Sequence, residues 1–381
     1  LGTLGVVLAP LRALLFAAAL LSCGAGIGLA HRLGARGRCV NFSVRAGARL
    51  LLFILGFHVI HVIGKVVGKE VRVRRRRRRG DGAGVRIVVA NHLSLVEVLH
   101  LIVAATGAED WAAPLPQLVS KASVFRIPLL GYFAQEVLQC IAVHRTPNGG
   151  GPAPTQSPSA SAQILAWADR HRQYHTREGS CPHTPTLVIF PEGTTSNGTG
   201  VLRFHSGAFL PGVPVHPILY RFHSDGADAP SFIPTFESIF FPFWLWRLLS
   251  QPWNTMRVEH CPPVIPTRSE LEAGAPYPQF AQRTRSIIAS ALGVPMYNLT
   301  YADKNVYHDC LRAAFSGKEY DKAGVLAGSK PEDPVADRIR LGCVRVCTGL
   351  GIVRSLVAML LTPQPFRRTP RVDGKEEKKT F

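Results

Sequence analysis

A histidine and a carboxylate stand five positions apart, just after an apolar run that predicts a strand. The predicted strand is Val85–Ala90, His92 follows it, and Glu97 lies where the next predicted helix begins. On one continuous helix the two side chains would point about 140° apart, so they meet only if His92 lies in the loop. His92 could then accept a proton, while Glu97 fixes its tautomer and stabilises the imidazolium.

The same segment has a plainer interpretation. Ser94 and Glu97 form an S-x-x-E capping box, in which the carboxylate does no more than cap the helix that follows. Taken alone, the segment favours the cap, and both roles remain open.

A second polar loop follows the predicted strand Thr186–Phe190. It reads Pro-Glu-Gly-Thr-Thr-Ser-Asn-Gly over residues 191–198. Gly, Thr and Asn at the carboxyl end of a strand supply backbone N–H groups and hydroxyls for an anionic or oxyanionic ligand. An ordinary turn uses the same residue types, so this loop alone does not decide between a binding site and a turn.

Predicted strands and helices alternate between residues 80 and 337, which indicates an α/β layer structure. The strand-like runs are Val85–Ala90, Gln117–Ser120, Gln139–His144, Thr186–Phe190, Pro214–Leu219 and Met256–Glu259. Helical patterns fill Leu95–Ala105, Ala160–Arg177 and Phe280–Leu292.

The positive charge of the chain lies at its two ends. The 381 residues carry a formal net charge of +19, which predicts a polyanionic partner, either nucleic acid or an anionic membrane surface. Residues 1–79 hold 15 Lys and Arg against one acid, and residues 338–381 hold 10 against 3. The middle, 80–337, holds 19 against 21. No recognised nucleic-acid motif accompanies the arginines, so we expect a bilayer with anionic headgroups and no nucleic acid.

Apolar segments flank the basic ones. Residues 1–30 exceed the ~18–20 residues that a helix needs to cross the hydrocarbon core, and they predict a span. The run 50–63 is shorter and predicts a re-entrant or interfacial helix, followed by a polybasic stretch over 72–79. Residues 341–361 predict a further buried or interfacial helix before a basic tail. Positive flanks indicate that everything after residue 31 is cytosolic.

The cysteines and the last four residues bear on the compartment. Eight scattered cysteines without a Cys-x-x-Cys pair fit reduced thiols better than disulfides, and the sequence predicts no metal site. The ending Lys378-Lys379-Thr380-Phe381 resembles a dilysine retrieval signal. We therefore expect a membrane protein of the endoplasmic reticulum.

Four blocks of the sequence resemble the glycerophospholipid acyltransferase superfamily, whose first block is H-x4-D and whose third is F-P-E-G-T. They are residues 91–97, 131–145, 190–198 and 213–218, in the order of the family. The resemblance implies a mixed α/β sheet flanked by helices and preceded by an N-terminal membrane segment. It divides the chain into an anchor over 1–79, a catalytic domain over 80–310 and a C-terminal segment over 311–381.

The resemblance also implies an activity and its residues. His92, assisted by Glu97, would deprotonate the free hydroxyl of a lysophospholipid, which then attacks the thioester of acyl-CoA. No cofactor is expected, because acyl-CoA is a co-substrate. The residues expected to bind substrate are Asn91, Arg145, Glu192, Gly193, Thr194 and Thr195, with Arg145 on the phosphate of the acceptor.

Two departures from the family pattern refine the expected substrate. Glu97 replaces the aspartate of the family, and Thr195 stands where lysophosphatidate and glycerol-phosphate enzymes usually carry arginine. The E-G-T-T form is similar to lysophosphatidylcholine and lysophosphatidylethanolamine acyltransferases, which favours phospholipid remodelling. The alternatives are acylation of lysophosphatidate or glycerol 3-phosphate, and a non-catalytic lipid-binding protein of the same fold.

Overall fold

The computed structural model of the chain describes residues 2–35, 37–63, 85–104, 113–143, 159–177, 186–223, 234–236, 241–251, 253–301, 303 and 304. The helices are α1 (Gly2–Arg32), α2 (Gly37–Ile54), α3 (Val96–Ala104), α4 (Leu130–Tyr132), α5 (Ala160–Arg177), α6 (Phe241–Leu249), α7 (Arg268–Glu272) and α8 (Pro278–Leu292). The strands are β1 (Ile60–Ile63), β2 (Arg86–Ala90), β3 (Gln117–Lys121), β4 (Ile141–Val143), β5 (Thr186–Ile189), β6 (Val215–His223) and β7 (Thr255–His260).

These strands form one mixed sheet in the order β1-β7-β6-β2-β5-β3-β4. Strands β6 and β7 pair antiparallel, and all other neighbours pair in parallel. Every residue of the central strand β2 is buried, as expected for a strand with parallel neighbours and helices on both faces. The predicted fold class, a mixed α/β sheet flanked by helices, is confirmed.

The two faces of the sheet carry separate apolar cores. Because side chains alternate along a strand, Val88 of β2 faces one core, whereas Ile87 and Val89 face the other. The core on the Val88 side packs α2, α3 and α6 against the sheet. Helices α5 and α8 cover the opposite side.

The predicted helix over 50–63 is wrong in its second half. Helix α2 starts at Gly37 and ends at Ile54, and Gly56, with φ +94°, turns the chain into β1. Strand β1 pairs in parallel with β7 in the register Ile60↔Met256. This long-range pairing, in a segment rich in β-branched residues, outweighs the helical pattern that the apolar run suggests locally.

The N-terminal helices pack on the sheet domain. Helix α1 lies against α2 and α6, and α2 packs against α3. Buried side chains of α2 share a core with β2, β6 and β7, so the boundary expected at residue 79 does not separate two packing units. Among the described residues, α1 is the one helix that is long and apolar enough, over Val7–Arg32, to cross a membrane.

Most predicted element positions agree with the structure. The helix Ala160–Arg177 has the predicted bounds, and the strand ends differ by a few residues, most at β4 and β6. The polybasic stretch 72–79, Arg145, the predicted helix 341–361 and the dilysine ending lie outside the described residues.

Candidate active site

The two polar loops leave the same edge of the sheet. Strands β2 and β5 are parallel neighbours in the register Val89↔Ile189, so the chain leaves both strands in the same direction. A backbone hydrogen bond of 2.8 Å from the Ser196 N–H to the His92 carbonyl ties the loops together. The sequence therefore brings the two loops together through strand order alone.

His92 and Glu97 face each other, as the dyad interpretation requires. The Nδ1 atom of His92 lies 3.7 Å from Oε2 of Glu97. Glu97 is fully buried, and 16% of the His92 side chain is exposed. A distance of 3.7 Å exceeds a hydrogen bond, and an approach of less than 1 Å would close it. His92 lies in the loop after β2 and Glu97 in the first turn of α3.

Glu97 is a helix cap at the same time. Its Oε1 accepts hydrogen bonds from the N–H groups of Leu93 at 2.7 Å and Ser94 at 2.8 Å, and Oε2 accepts from Ser94 at 2.9 Å. The Ser94 hydroxyl accepts from the Val96 N–H at 3.1 Å. These bonds hold the carboxylate in place beside His92, so the capping role that the sequence leaves open does not prevent Glu97 from facing the imidazole.

Phe190 fixes the plane of the imidazole. The two rings stack with centroids 4.0 Å apart and planes inclined by 20°. Nδ1 of His92 is buried and has no hydrogen-bond partner, and its nearest carboxylate is that of Glu97. With Nδ1 facing inward, Nε2 is the ring nitrogen at the opposite edge, where it can meet a substrate hydroxyl.

Glu192 braces the two loops from inside. Its Oε1 accepts from the backbone N–H of His92 at 3.3 Å, and Oε2 accepts from the N–H of Leu202 at 3.1 Å. Burial raises the pKa of Glu192 to about 7, although these two N–H groups and the charge of Arg285 pull it down. The sequence predicts a substrate contact for Glu192, whereas here its carboxyl group faces the protein backbone.

Two features require glycine at position 193: its backbone conformation and the close approach of His205. Its φ is +68°, and a Cβ atom there would lie 2.7 Å from Cδ2 of His205. His205 therefore packs directly over this peptide. Thr194 is buried, and Thr195 is half-buried at the outer part of the loop.

Thr195 is in contact with a lysine that sequence reasoning missed. The ammonium group of Lys304 donates to the Thr195 carbonyl at 2.7 Å and to its hydroxyl at 2.9 Å. The structure thus brings an ammonium group to Thr195 in this loop. No local signal pointed to Lys304, because 109 residues separate it from Thr195.

Asn91 is placed differently from its prediction. Its side chain is buried; Nδ2 donates to the Tyr220 carbonyl at 3.0 Å, and Oδ1 accepts from the Tyr220 N–H at 2.8 Å. Both ends of the amide thus extend the pairing of β2 with β6 by one residue. Both polar ends of the Asn91 side chain are therefore bonded to the sheet, and its substrate contact stays a prediction. Arg145, the predicted phosphate ligand, lies outside the described residues.

Two buried groups near Glu97, Tyr220 and His100, are hydrogen-bonded to each other. Tyr220 donates to or accepts from Nδ1 of His100 at 2.9 Å, and both side chains are buried. Burial lowers the pKa of His100 to about 3, which keeps this imidazole neutral. Burial and the nearby Glu97 raise the pKa of Tyr220 well above its usual value.

The described part of the chain holds no group of three or more His, Cys, Asp or Glu side chains that could bind a metal ion. The chemistry available in the site consists of a base, its carboxylate partner and a loop with amide, hydroxyl and ammonium donors. Such a set can deprotonate a hydroxyl and hold an anion nearby.

Comparisons with known proteins agree with this chemistry. Residues 66–221 match the family model described as Acyltransferase. The lysophospholipid acyltransferase LPEAT1 of Arabidopsis thaliana is 26% identical over 298 residues, which are 75% of this chain and 67% of that protein. Lysophosphatidylcholine acyltransferase 2 of Homo sapiens is 27% identical over 311 residues, 79% of this chain and 49% of that protein.

Several relatives are longer than the matched region. The chain spans 41% of the Arabidopsis LPEAT2 protein and 41% of the lysophosphatidylcholine acyltransferase of Drosophila melanogaster. The crystal structure of the 1-acyl-sn-glycerophosphate (LPA) acyltransferase PlsC from Thermotoga maritima aligns with a TM-score of 0.44 and 15% identity. That alignment covers 77% of this chain and 97% of PlsC.

Proposed function

We propose that the chain is a member of the glycerophospholipid acyltransferase superfamily and moves an acyl chain from acyl-CoA to the free hydroxyl of a lysophospholipid. The observation that carries the proposal is the His92–Glu97 pair at the edge of the sheet. Nδ1 of His92 faces Glu97 at 3.7 Å, and the ring is held by Phe190.

The proposed reaction has two steps. Nε2 of His92 takes the proton of the acceptor hydroxyl, and the oxygen attacks the carbonyl carbon of the thioester. The tetrahedral intermediate then collapses, the carbon–sulfur bond breaks, and the imidazolium returns its proton to the sulfur of CoA. Glu97 stabilises the imidazolium between these steps, since it is the buried carboxylate closest to Nδ1.

We place the phosphate of the acceptor beside the E-G-T-T loop. Lys304 supports this proposal because it brings an ammonium group to Thr195, where a threonine alone offers no charge. Arg145 is the second expected cation. An ammonium group is a compact point charge, which suits a phosphodiester with a headgroup attached as well as a free phosphate. The names of the relatives favour lysophospholipids with a headgroup.

The proposed setting is the cytosolic face of the endoplasmic reticulum. Apolar α1 and the arginines of residues 1–79 support it. Acyl-CoA is a cytosolic thioester, so the base and the loop need to face that compartment. A glycan on Asn197, which begins an Asn-x-Thr sequon in the active-site loop, would overturn this orientation.

The acceptor panel is the experiment that tests the function. Membranes containing the full chain receive labelled acyl-CoA together with lysophosphatidylcholine, lysophosphatidylethanolamine, lysophosphatidate or glycerol 3-phosphate. The proposal predicts that a lysophospholipid with a headgroup gives the most product dependent on His92. Preference for lysophosphatidate or glycerol 3-phosphate would favour a role in new lipid synthesis. If membranes with His92→Ala form as much product as those with the unsubstituted chain, the alternative of a non-catalytic lipid-binding protein is favoured.

A further inference from the structure

Two separate parts of α1 contact the same domain. About a third of the way along the helix, the Arg12 guanidinium donates to the carbonyls of Ile54, Leu249 and Gln251, at the ends of α2 and α6. Near its end, Nδ1 of His31 lies 3.0 Å from the hydroxyl of Tyr132, the last residue of α4. The helix is therefore fastened to the sheet domain at two separate places.

At the second attachment, the backbone of α1 lies very near Leu129 and Tyr132. A Cβ atom on Gly24 would lie 2.7 Å from a methyl group of Leu129, and one on Gly28 would lie 3.2 Å from the Tyr132 ring. The Tyr132 hydroxyl also donates to the Gly28 carbonyl at 3.3 Å, and the Arg32 guanidinium lies 5.0 Å from the centre of the ring. The glycines thus let the helix backbone pack directly against α4.

The spacing of these attachments sets the orientation of α1. Arg12 and His31 are 19 positions apart, which is about 29 Å along a helix. The hydrocarbon core of a bilayer is also about 30 Å thick. A helix across the membrane would therefore hold two parts of one polar domain on opposite sides of the bilayer. A helix in the plane of the membrane surface satisfies both attachments at once.

Exposed apolar side chains continue from α1 onto neighbouring elements. Leu14 and Leu21 of α1 are 69% and 61% exposed, and Trp253 is 70% exposed. On α6, Phe243 and Trp246 point outward, while Trp244, Leu248 and Leu249 enter the core. Helix α6 is thus amphipathic with an aromatic outer face, which is typical of a helix at a membrane interface.

The exposed aromatic residues are joined by ring contacts. Phe53, at the end of α2, lies 4.5 Å from the His58 ring, and the His58 ring lies 5.8 Å from that of Trp253.

The charge of the N-terminal residues suits an anionic bilayer, because the chain has no Asp or Glu before Glu70. A groove of about 410 Å³, lined mainly by small and apolar side chains, lies between α1 and α2.

We infer that α1, Phe53, Phe243, Trp246 and Trp253 form one membrane-facing surface, on which α1 lies in the plane of the bilayer and does not cross it. This surface replaces the span expected for residues 1–30. The inference rests on packing and exposure and is independent of the proposed acyl transfer. The occupant is the interfacial region of a phospholipid bilayer.

The orientation of α1 is tested by the sides on which two tags lie. The full chain carries one epitope at its N-terminus and another at its C-terminus, and sealed microsomes are treated with protease without detergent. An in-plane α1 predicts that both epitopes are digested together. Protection of the N-terminal epitope while the C-terminal one is digested would overturn the inference.

The aromatic part of the surface is tested by tryptophan fluorescence. The full chain is reconstituted in phosphatidylcholine–phosphatidylserine vesicles that contain brominated phosphatidylcholine. We expect the double variant Trp246→Phe/Trp253→Phe to lose at least half of the quenching seen in the unsubstituted chain. Trp167→Phe, in the core and 4% exposed, is the matched control and should keep it. Full quenching in the double variant would exclude α6 from the membrane surface.

Discussion

Replacing Glu97 by glutamine separates its two roles. The substitution keeps the length of the side chain and removes its charge. If the amide oxygen takes the place of Oε1, it keeps the bonds from Leu93 and Ser94. The amide nitrogen then takes the place of Oε2, where it faces the Ser94 N–H and Nδ1 of His92. An N–H that donates to Nδ1 would leave the proton of the imidazole on Nε2, the nitrogen that must accept one.

The two effects differ in size. Loss of one charge-assisted hydrogen bond costs about 1.5–3 kcal/mol of folding stability. The wrong tautomer and the loss of the carboxylate remove general-base assistance, which is worth roughly 10²–10⁴ in kcat. That factor corresponds to about 2.7–5.4 kcal/mol of the activation free energy, at 1.36 kcal/mol for each tenfold. The activity should therefore fall much further than the stability alone explains.

The assay pairs turnover with stability in the same detergent. CoA release is measured at saturating acyl-CoA and lysophospholipid, and unfolding is followed by denaturant titration. Glu270→Gln is the matched control, because Glu270 is buried and belongs to a capping box with Thr267, outside the candidate active site. It should lose comparable stability and keep its kcat. If Glu97→Gln keeps more than a tenth of kcat, Glu97 is a cap and not a partner of His92.

Three further predictions follow from other contacts. Asn91→Ala should lower folding stability by about 2–4 kcal/mol, because it removes the side-chain partners of the buried N–H and carbonyl of Tyr220. The KM of the folded variant should stay unchanged. A raised KM at full stability would instead support the predicted substrate contact. Lys304→Met should raise the KM for lysophospholipid roughly three- to tenfold at nearly constant kcat and acyl-CoA KM, as expected for one lost charge-assisted bond; unchanged acceptor kinetics would exclude Lys304 from phosphate binding. Because the folded pKa of Glu192 is raised to about 7, the native state holds its proton more tightly than the unfolded chain, so stability should fall as pH rises from about 4.5 to 7. In Glu192→Gln, the difference in folding stability between pH 5 and pH 8, measured by denaturant unfolding, should shrink by at most about 3 kcal/mol. An unchanged difference would show that a group other than Glu192 causes the pH dependence.

Local patterns predicted the elements that position the site. The helix Ala160–Arg177 and the buried strands β2 and β5 follow from periodicity and apolar runs, and the two loops were visible as polar segments at strand ends. The spacing of the residues could not decide whether Glu97 caps the helix or pairs with His92. It depends on where the loop turns His92, and on the stacked Phe190, which comes from another strand.

Features built from distant residues could not be predicted. Strand β1 forms because residues 60–63 meet β7 almost 200 positions later, and the same apolar run otherwise suggests a helix. Lys304 reaches Thr195 from beyond α8, and the amide of Asn91 is used by β6. A motif identifies the residue types at a site, whereas the direction in which each side chain points is decided by tertiary packing. Glu192, which turns inward to two backbone N–H groups, is the clearest case.

The most direct test of the account is the turnover of His92→Ala. The purified full chain, in the same detergent and at matched stability, is given acyl-CoA and a lysophospholipid, and CoA release and diacyl product are measured together. The account predicts that both fall in parallel by roughly 10³–10⁴, because the base proposed to take the proton of the acceptor hydroxyl is gone. Turnover within twofold of the unsubstituted chain, in a folded His92→Ala protein, would contradict it.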